Sequence, residues 1–302
     1  MEDLQKQKSI INWKKIKQVV FSKDKLKALS EMDIVDLNLF KKKFTNKNVV
    51  STCSSNNDNC KIGSVITYTG ISNDLTKFLN FNNDFKEIVI TKPIDNSTSN
   101  DDLSKFNEEK IDNTGNIQLW PCEEILSIYC LKNQERFKNK RVIELGSGYS
   151  GLCGLIMAAL IPSITEMMIT DGNSKSVEAL NFNISENFSE NTIIQSKVLL
   201  WEEDLPNETN PYDFVIISDC LFFIKYHLAL VKTIKSLIAN SENGVCIIVS
   251  PKRGETMNNF LEKSKEYFNV QIKNDEINFI HEVSKGGKCT YSANFIELTL
   301  KK

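Results

Sequence analysis

Arg141–Gly151 reads RVIELGSGYSG, and its reading decides the fold. Val142, Ile143 and Leu145 make an apolar strand that runs into three glycines, Gly146, Gly148 and Gly151. An apolar helical run, Leu152–Ile161, follows at once. Strand, glycine turn and helix, in that order, bring backbone close to a nucleotide-like ligand. The glycine spacing alone is a weak signal. Glu144 sharpens it, because a carboxylate two residues before the first glycine repels an anionic pyrophosphate and tolerates a cation.

Downstream, the pattern repeats. Met167–Thr170 is a second strand, ending at Asp171, 25 residues after Gly146. A carboxylate there suits the hydroxyls of a ribose. Its alternative role, capping the next helix, is better filled by Asn173 or Ser174. Helix Lys175–Ile184 presents Val177, Leu180 and Ile184. Strand Ile193–Leu200 ends at Trp201, where an adenine can stack. Phe214–Ser218 is continuously apolar, as a central parallel strand is, and ends at Asp219. Helix Tyr226–Ile238, strand Val245–Ser250, helix Glu255–Phe268 and two late strands near Val270–Lys273 and Phe295–Leu300 complete the series. Glu144, Asp171, Trp201 and Asp219 thus gather at the carboxyl edge of one parallel sheet, where open α/β sheets bind ligands. A cationic nucleoside such as S-adenosylmethionine, with its sulfonium and ammonium, fits that edge. A dinucleotide-dependent dehydrogenase is the competing reading; Glu144 and the lack of a catalytic histidine in a second domain weigh against it.

Upstream of the glycines, Ile117–Trp120 reads as a short strand and Pro121 as the first residue of a helix, with Glu123 and Glu124 at its positive end. Trp120, at that junction, is either core or a wall of the ligand site. Residues 92–110 are polar and read as a linker, so 1–110 form an N-terminal extension and 111–302 the main domain. Within the extension, 12–30 read as a basic amphipathic helix, 51–60 as a loop, and Ile62–Thr69 and Phe85–Thr91 as strands. Residues 1–60 carry 12 lysines against 7 acids, whereas 61–302 carry 25 basic against 32 acidic residues. An acidic main domain excludes nucleic acid as its partner, and a basic arm suits an acidic protein.

Other classes fall away on composition. The longest apolar run is too short to span a bilayer, and the N-terminus lacks a signal-peptide core. Eight cysteines without a CxxC and only two histidines, His227 and His281, make neither a metal site nor a nucleophile–histidine pair. Cysteines set in apolar segments suit a reducing compartment, cytoplasm or nucleus. A monomer is expected.

Five stretches together carry a resemblance: Asn113–Lys132 (NTGNIQLWPCEEILSIYCLK), Glu144–Gly148, Thr170–Asn173 (TDGN), Asp219–Phe223 (DCLFF) and Pro251–Gly254 (PKRG). They resemble the calmodulin-lysine N-methyltransferase family among the seven-β-strand class I protein lysine methyltransferases. WPxxE marks the wider family; DNTGN, DCLFF and PKRG point to the calmodulin branch. The similarity runs from about Trp13 to the C-terminus and is densest over 111–260. The glycine loop, GSGYSG, and residues 51–60 and 95–105 depart from the branch pattern. The resemblance implies an α/β, Rossmann-like seven-stranded sheet with helices on both faces, plus a smaller N-terminal α+β extension. It implies Trp120, Glu144, Gly146, Gly148, Asp171, Trp201 and Asp219 around S-adenosylmethionine. Asp219 and Phe222 match the family's D-x-x-F/Y motif and would be catalytic, with Phe222 and Phe223 holding the substrate lysine. The implied partner is calmodulin or another acidic protein. Two alternatives remain at this point: a methyltransferase for a chaperone or elongation factor, and a non-catalytic binding module on the same fold.

Overall fold

The computed structural model describes residues 37–301, apart from 38, 46–48, 53–58, 77–78, 80–84, 94–118, 162, 190–191, 203–207, 242, 252, 274 and 276–292. The basic segment 12–30, the DNTGN turn, Lys252 and His281 therefore lie outside the described residues.

Two sheets organise the chain. The smaller one comprises β1 (Phe40–Thr45), β2 (Val49–Thr52), β3 (Asn59–Ile71) and β4 (Ile88–Pro93), all antiparallel partners of the long β3. The expected loop at 51–60 is narrower than its polarity suggested, because its two ends pair as strands, Ser51 opposite Cys60 and Thr52 opposite Asn59. The expected linker likewise starts late, since β4 runs through Lys92 and Pro93.

The larger sheet comprises β5 (Arg141–Leu145), β6 (Glu166–Asp171), β7 (Ile194–Val198), β8 (Phe214–Ser218), β9 (Val245–Pro251), β10 (Phe268–Ile272) and β11 (Ala293–Leu300). Its order is β10-β11-β9-β8-β5-β6-β7. β5 to β9 run parallel, and β11 pairs antiparallel with both β9 and β10. This is the seven-stranded Rossmann-like architecture expected from the sequence. Successive strands step outward from β5 to β7, and then β8 returns to the other side of β5. The β5/β8 boundary is thus the topological switch point, where a crevice opens at the carboxyl edge.

Helices cover both faces. α1 (Pro121–Lys132), α2 (Leu152–Leu160) and α3 (Ser174–Asn187) pack on one face, α4 (His227–Ile238) and α5 (Thr256–Ser264) on the other. The pleat sorts β5 residue by residue, with Val142 in the first core and Ile143 and Leu145 in the second. Glu144 therefore belongs to the first face, beneath α2, and not to the open strand end. No helix among the described residues is long and apolar enough to cross a membrane.

Ile117–Trp120 does not end as the expected strand. Leu119 and Trp120 join no ladder, and Trp120 is the extended N-cap of α1. Pro121 does occupy the first helical position. Trp120 has no side-chain acceptor, so the cap is completed from the other direction: Glu123 Oε1 accepts the Trp120 N–H at 3.1 Å.

The small sheet is tied to the large one by polar groups as well as by a shared apolar core that includes Phe40, Tyr68, Ile88 and Ile90. Glu124 on α1 is buried and accepts from Lys42 Nζ at 2.7 Å and Tyr68 Oη at 3.1 Å. A buried carboxylate needs such a partner, and removing one side of a buried pair costs about 3–5 kcal/mol. At the β4 edge, Asn187 acts as a substitute strand: its Oδ1 accepts from Val89 N–H and its Nδ2 donates to Val89 O, both at 2.7 Å. Asn183 Oδ1 takes the Thr91 N–H at 2.9 Å. Helix α3 thereby closes an edge that would otherwise expose unpaired backbone.

Candidate active site

Each parallel strand delivers one element to the crevice. β5 ends in the glycine turn, β6 in Asp171, β7 in the segment leading to Trp201, β8 in Asp219, and β9 in the segment leading to Arg253. Gly146 and Gly148 have φ of 68° and 60°, a left-handed conformation that glycine adopts without a Cβ penalty. At Gly146 the space is also taken, since a Cβ would lie 2.6 Å from Cys220 Sγ and 3.2 Å from the Trp201 ring. Trp201 thus stands against the glycine turn. It is held there through its neighbour Glu202, whose N–H donates to Thr233 Oγ1 at 3.0 Å.

Asp171 turns both carboxylate oxygens to backbone donors, Oδ2 to Gly148 N–H at 3.0 Å and Oδ1 to Asn173 N–H at 2.8 Å. Burial holds its pKa above the ordinary carboxylate value, and these two N–H groups oppose the rise. Asn173 caps α3, its side chain accepting from Lys175 N–H.

Two further donors of the glycine loop are used within the fold. Ser147 N–H goes to Thr170 O at 2.9 Å and Gly151 N–H to Ser147 O at 3.2 Å. The first turn of α2 is capped by two buried carboxyls: Glu123 accepts from Leu152 N–H, and Glu144 Oε2 accepts from Gly154 N–H at 2.9 Å. Glu123 Oε2 also accepts the Ser150 hydroxyl. A pyrophosphate needs those same N–H groups. The dinucleotide reading is therefore disfavoured by the occupancy of the helix N–H groups.

Glu144 differs here from its sequence-based reading. It is fully buried, and Oε1 has no hydrogen-bond partner among the described residues. Burial, then the charge of Glu123, push its pKa up to about 8, and burial pushes Glu123 up to about 7. Near pH 7 Glu144 is mostly neutral, so it supports the turn from below and is no fixed anion facing a cation. Both groups bind protons in the folded state that the unfolded chain gives up near its ordinary value of 4.5. Their linkage therefore makes stability fall as pH rises from about 4.5 toward 7–8. Glu144→Gln, which keeps an acceptor for Gly154, is expected to flatten the upper part of that fall. Urea midpoints measured from pH 5 to 9 check it; an unchanged slope would contradict the assignment.

Asp219 sits at φ 55°, with its N–H bonded to Val249 O at 2.8 Å. A non-glycine residue in that region is held by its surroundings, and such strain collects at functional sites. Its carboxylate is bound by both terminal nitrogens of Arg253, Nη1 to Oδ1 and Nη2 to Oδ2, the latter at 2.7 Å. The guanidinium carbon lies 5.9 Å from the ring centres of both Trp120 and Phe222. Phe222 and Phe223 meet edge-to-face at 4.1 Å, and both are half-buried, so neither is plain core.

The structure thus brings together Trp120, Asp219 and Phe222, and separately Gly146, Trp201 and Cys220, with Asp171 on Gly148. Arg253 and Glu123 were not among the site residues read from sequence. PKRG pointed to Arg253 only as a family marker. The usable signal was topological: β8 and β9 are parallel neighbours with Ser218 opposite Val249, which brings 219 and 253 to one edge. His227 is a core histidine, its Nε2–H donating to Leu221 O at 3.1 Å and its ring edge-on against Phe260.

These groups fit a nucleoside donor: a carboxylate at the end of the second parallel strand, a close glycine backbone and an indole against the glycine turn. Strand order, a single reversed strand and a glycine turn at the switch point define the class I methyltransferase fold. A family model described as lysine methyltransferase matches residues 98–267, more than half of the 302-residue chain. The chain belongs to the lysine methyltransferase family.

Among curated relatives, it is 38% identical over 183 residues to the calmodulin-lysine N-methyltransferase of Arabidopsis thaliana, covering 60% of each chain. It is 30% identical to protein N-lysine methyltransferase METTL21A of Danio rerio, covering 51% of this chain and 68% of that one. It is 28% identical to EEF1A lysine methyltransferase 3 of Xenopus tropicalis, covering 55% and 74%. The match therefore spans less than two thirds of the Arabidopsis protein's length.

Proposed function

We propose that this protein transfers a methyl group from S-adenosylmethionine to a lysine side chain of calmodulin. The observation that carries the reading is the meeting of Asp219, Phe222 and Trp120 at the switch point beside the glycine turn, in a lysine methyltransferase chain. The similarity to the Arabidopsis calmodulin enzyme supports the choice of substrate.

Asp171 would hold the ribose of the donor, Trp201 its base, and Gly146 and Gly148 would admit it close to the backbone. When bound, the donor supplies a sulfonium methyl that needs no acid to leave. The chain's own task is the nucleophile. Neutralising a lysine of pKa ~10.4 at pH 7 costs about 4–5 kcal/mol. Phe222 and Phe223 attract the ammonium by cation–π contact and exclude water around it. Full burial lowers a lysine pKa by up to about 3–5 units, whereas a nearby carboxylate raises it by about 1–3. Burial wins only as the aromatic walls close over the nitrogen, so Asp219 recruits and orients the ammonium, desolvation by Phe222 and Phe223 favours its neutral form, and the proton passes to solvent water before the nitrogen is fully covered. Alignment of the amine with the methyl provides the rest.

Calorimetric titration with S-adenosylmethionine tests the donor half of this reading. The wild-type chain is expected to bind one equivalent, and Asp171→Ala to weaken binding at least about tenfold, the equivalent of roughly 1.4 kcal/mol. Equal affinity in both would remove Asp171 from the site, and no binding by the wild type would remove the donor.

A further inference from the structure

Past Asp219, the chain displays a run of apolar side chains at the mouth of the crevice. Phe222, Phe223 and Tyr226 are half-buried, and Ile224 is 45% exposed. The run begins beside Asp219, since the Phe222 ring centre lies 5.9 Å from the guanidinium carbon of the arginine that binds its carboxylate. It is held firmly at both ends. Leu221 before it and His227 after it are each 1% exposed, and the His227 ring donates to Leu221 O at 3.1 Å. Between these anchors, Ile224–Tyr226 form a 3₁₀ turn, with Tyr226 N–H on Phe223 O at 3.0 Å. The turn packs against α4 and α5, and the Phe223 ring is braced edge-on by Phe222 and Tyr226.

We propose that Ile224 is a specificity residue for the protein substrate: it seats an aliphatic side chain that lies within one helical turn, about four residues, of the target lysine. This rests on the methyl transfer proposed above.

A single exposed aliphatic side chain is ordinary on a protein surface. Ile224 differs in its company and its place. It continues, along the chain, the apolar surface of the two rings assigned to the substrate lysine, and an apolar patch on the rim of a site marks contact with a partner. With the lysine nitrogen at Phe222 and Phe223, its four-carbon stem runs back out of the crevice, and the residues next to it on the substrate come down on the rim. Ile224 is the next rim position after those rings.

Charge and water select the occupant. A basic residue there meets Lys225, which is exposed next to Ile224 with its ammonium 4.7 Å from the Tyr226 ring centre, and is repelled. A polar residue gives up water to hydrocarbon and finds no hydrogen-bonding group on Ile224. An acidic residue is drawn to Lys225 and leaves Ile224 wet. An aliphatic residue gains by covering it. Covering the exposed part of one aliphatic side chain shifts an equilibrium by about three- to tenfold. The anchors at Leu221 and His227 preserve that gain, because no loop has to be ordered on docking.

The test uses the full chain, S-adenosylmethionine with a labelled methyl, and calmodulin. The modified lysine is mapped first; a lysine with no aliphatic side chain within about four residues overturns the inference. Its aliphatic neighbours are then changed to serine one at a time. Ile224→Ser is expected to raise KM for calmodulin about fivefold, with kcat and the Kd for S-adenosylmethionine unchanged. One of the substrate changes is expected to raise KM by a similar factor with the wild-type enzyme and to add nothing with Ile224→Ser, because both remove the same contact. Ile224→Val, which keeps an aliphatic surface, is expected to stay within about twofold of wild type. Factors that multiply for every neighbour would show that Ile224 meets none of them. A fall in kcat with KM unchanged would show a role in the shape of the site. Either result overturns the inference and leaves methyl transfer in place. If Ile224→Ser does not fold, Ile224→Thr takes its place in the same cycle. No labelled lysine on calmodulin with the wild-type enzyme would overturn the proposed function and this inference with it.

Discussion

Asp219→Asn is expected to reduce methyl transfer to calmodulin by about a hundredfold or more, the scale lost when a reacting group is misplaced by about 1 Å. Asparagine keeps the size and one acceptor oxygen but not the charge. The lysine ammonium then loses the group that draws it to Phe222 and Phe223, and Arg253 loses the charge of its bidentate partner. Donor binding should change far less, because Asp171 and Trp201 are placed by other strands. Asp219→Ala is the harsher form of the same change. It breaks a shielded ion pair from one side, at a cost of about 3–5 kcal/mol, so its loss of activity mixes chemistry with stability. The asparagine variant separates them: near-normal turnover in a folded Asp219→Asn would sink the role given to Asp219.

Gly154→Val is expected to be the most destabilising single change near the crevice, by about 3 kcal/mol, with a fall in Tm on the order of 10 °C. A Cβ at Gly154 would stand 2.2 Å from Ile169 Cγ2 and 2.9 Å from both Glu144 Oε2 and Met167 Cε. Met167 ends in a flexible methyl and can yield. Ile169 cannot, because that methyl sits directly on the Cβ of a central strand. The clash also pushes on the carboxyl that caps Gly154 N–H. Alanine shows which effect wins. Replacing a helical glycine by alanine gains about 1 kcal/mol of helix propensity, against an overpacking cost of about 1–3 kcal/mol. Gly154→Ala is therefore expected to be mildly destabilising and Gly154→Val strongly so. Denaturant midpoints for the two variants check the order; a stabilised Gly154→Ala would mean that α2 does not lie this close to β6.

How much of this could be read in the sequence depended on whether the signal was local. β5, β8 and the glycine turn were legible because apolar strands buried on both faces read as continuous runs, and glycine marks a left-handed turn. Asn173 was legible as the better cap for α3, and it does cap that helix. Glu144 was misplaced because its distance from the glycines was weighed and the pleat was not. Two residues before the turn, on the Val142 face, it lies beneath α2. The exclusion of a pyrophosphate survived on a different ground, with Glu123 and Glu144 occupying the helix N–H groups. Ile117–Trp120 reads as a short strand in the sequence, but Pro121 and Glu123 make Trp120 a helix cap. Arg253 escaped because its partner is 34 residues away. Only the register of β8 against β9 reveals that pairing.

The measurement that bears most directly on the whole reading is incubation of the full chain with calmodulin and S-adenosylmethionine carrying a labelled methyl, followed by peptide mapping. The account predicts label on a lysine side chain of calmodulin, in amounts that exceed those of the Asp219→Asn variant by about a hundredfold. Absence of label from calmodulin with label on another protein would contradict the substrate. Absence of label from every protein offered, with the donor bound, would contradict the enzyme.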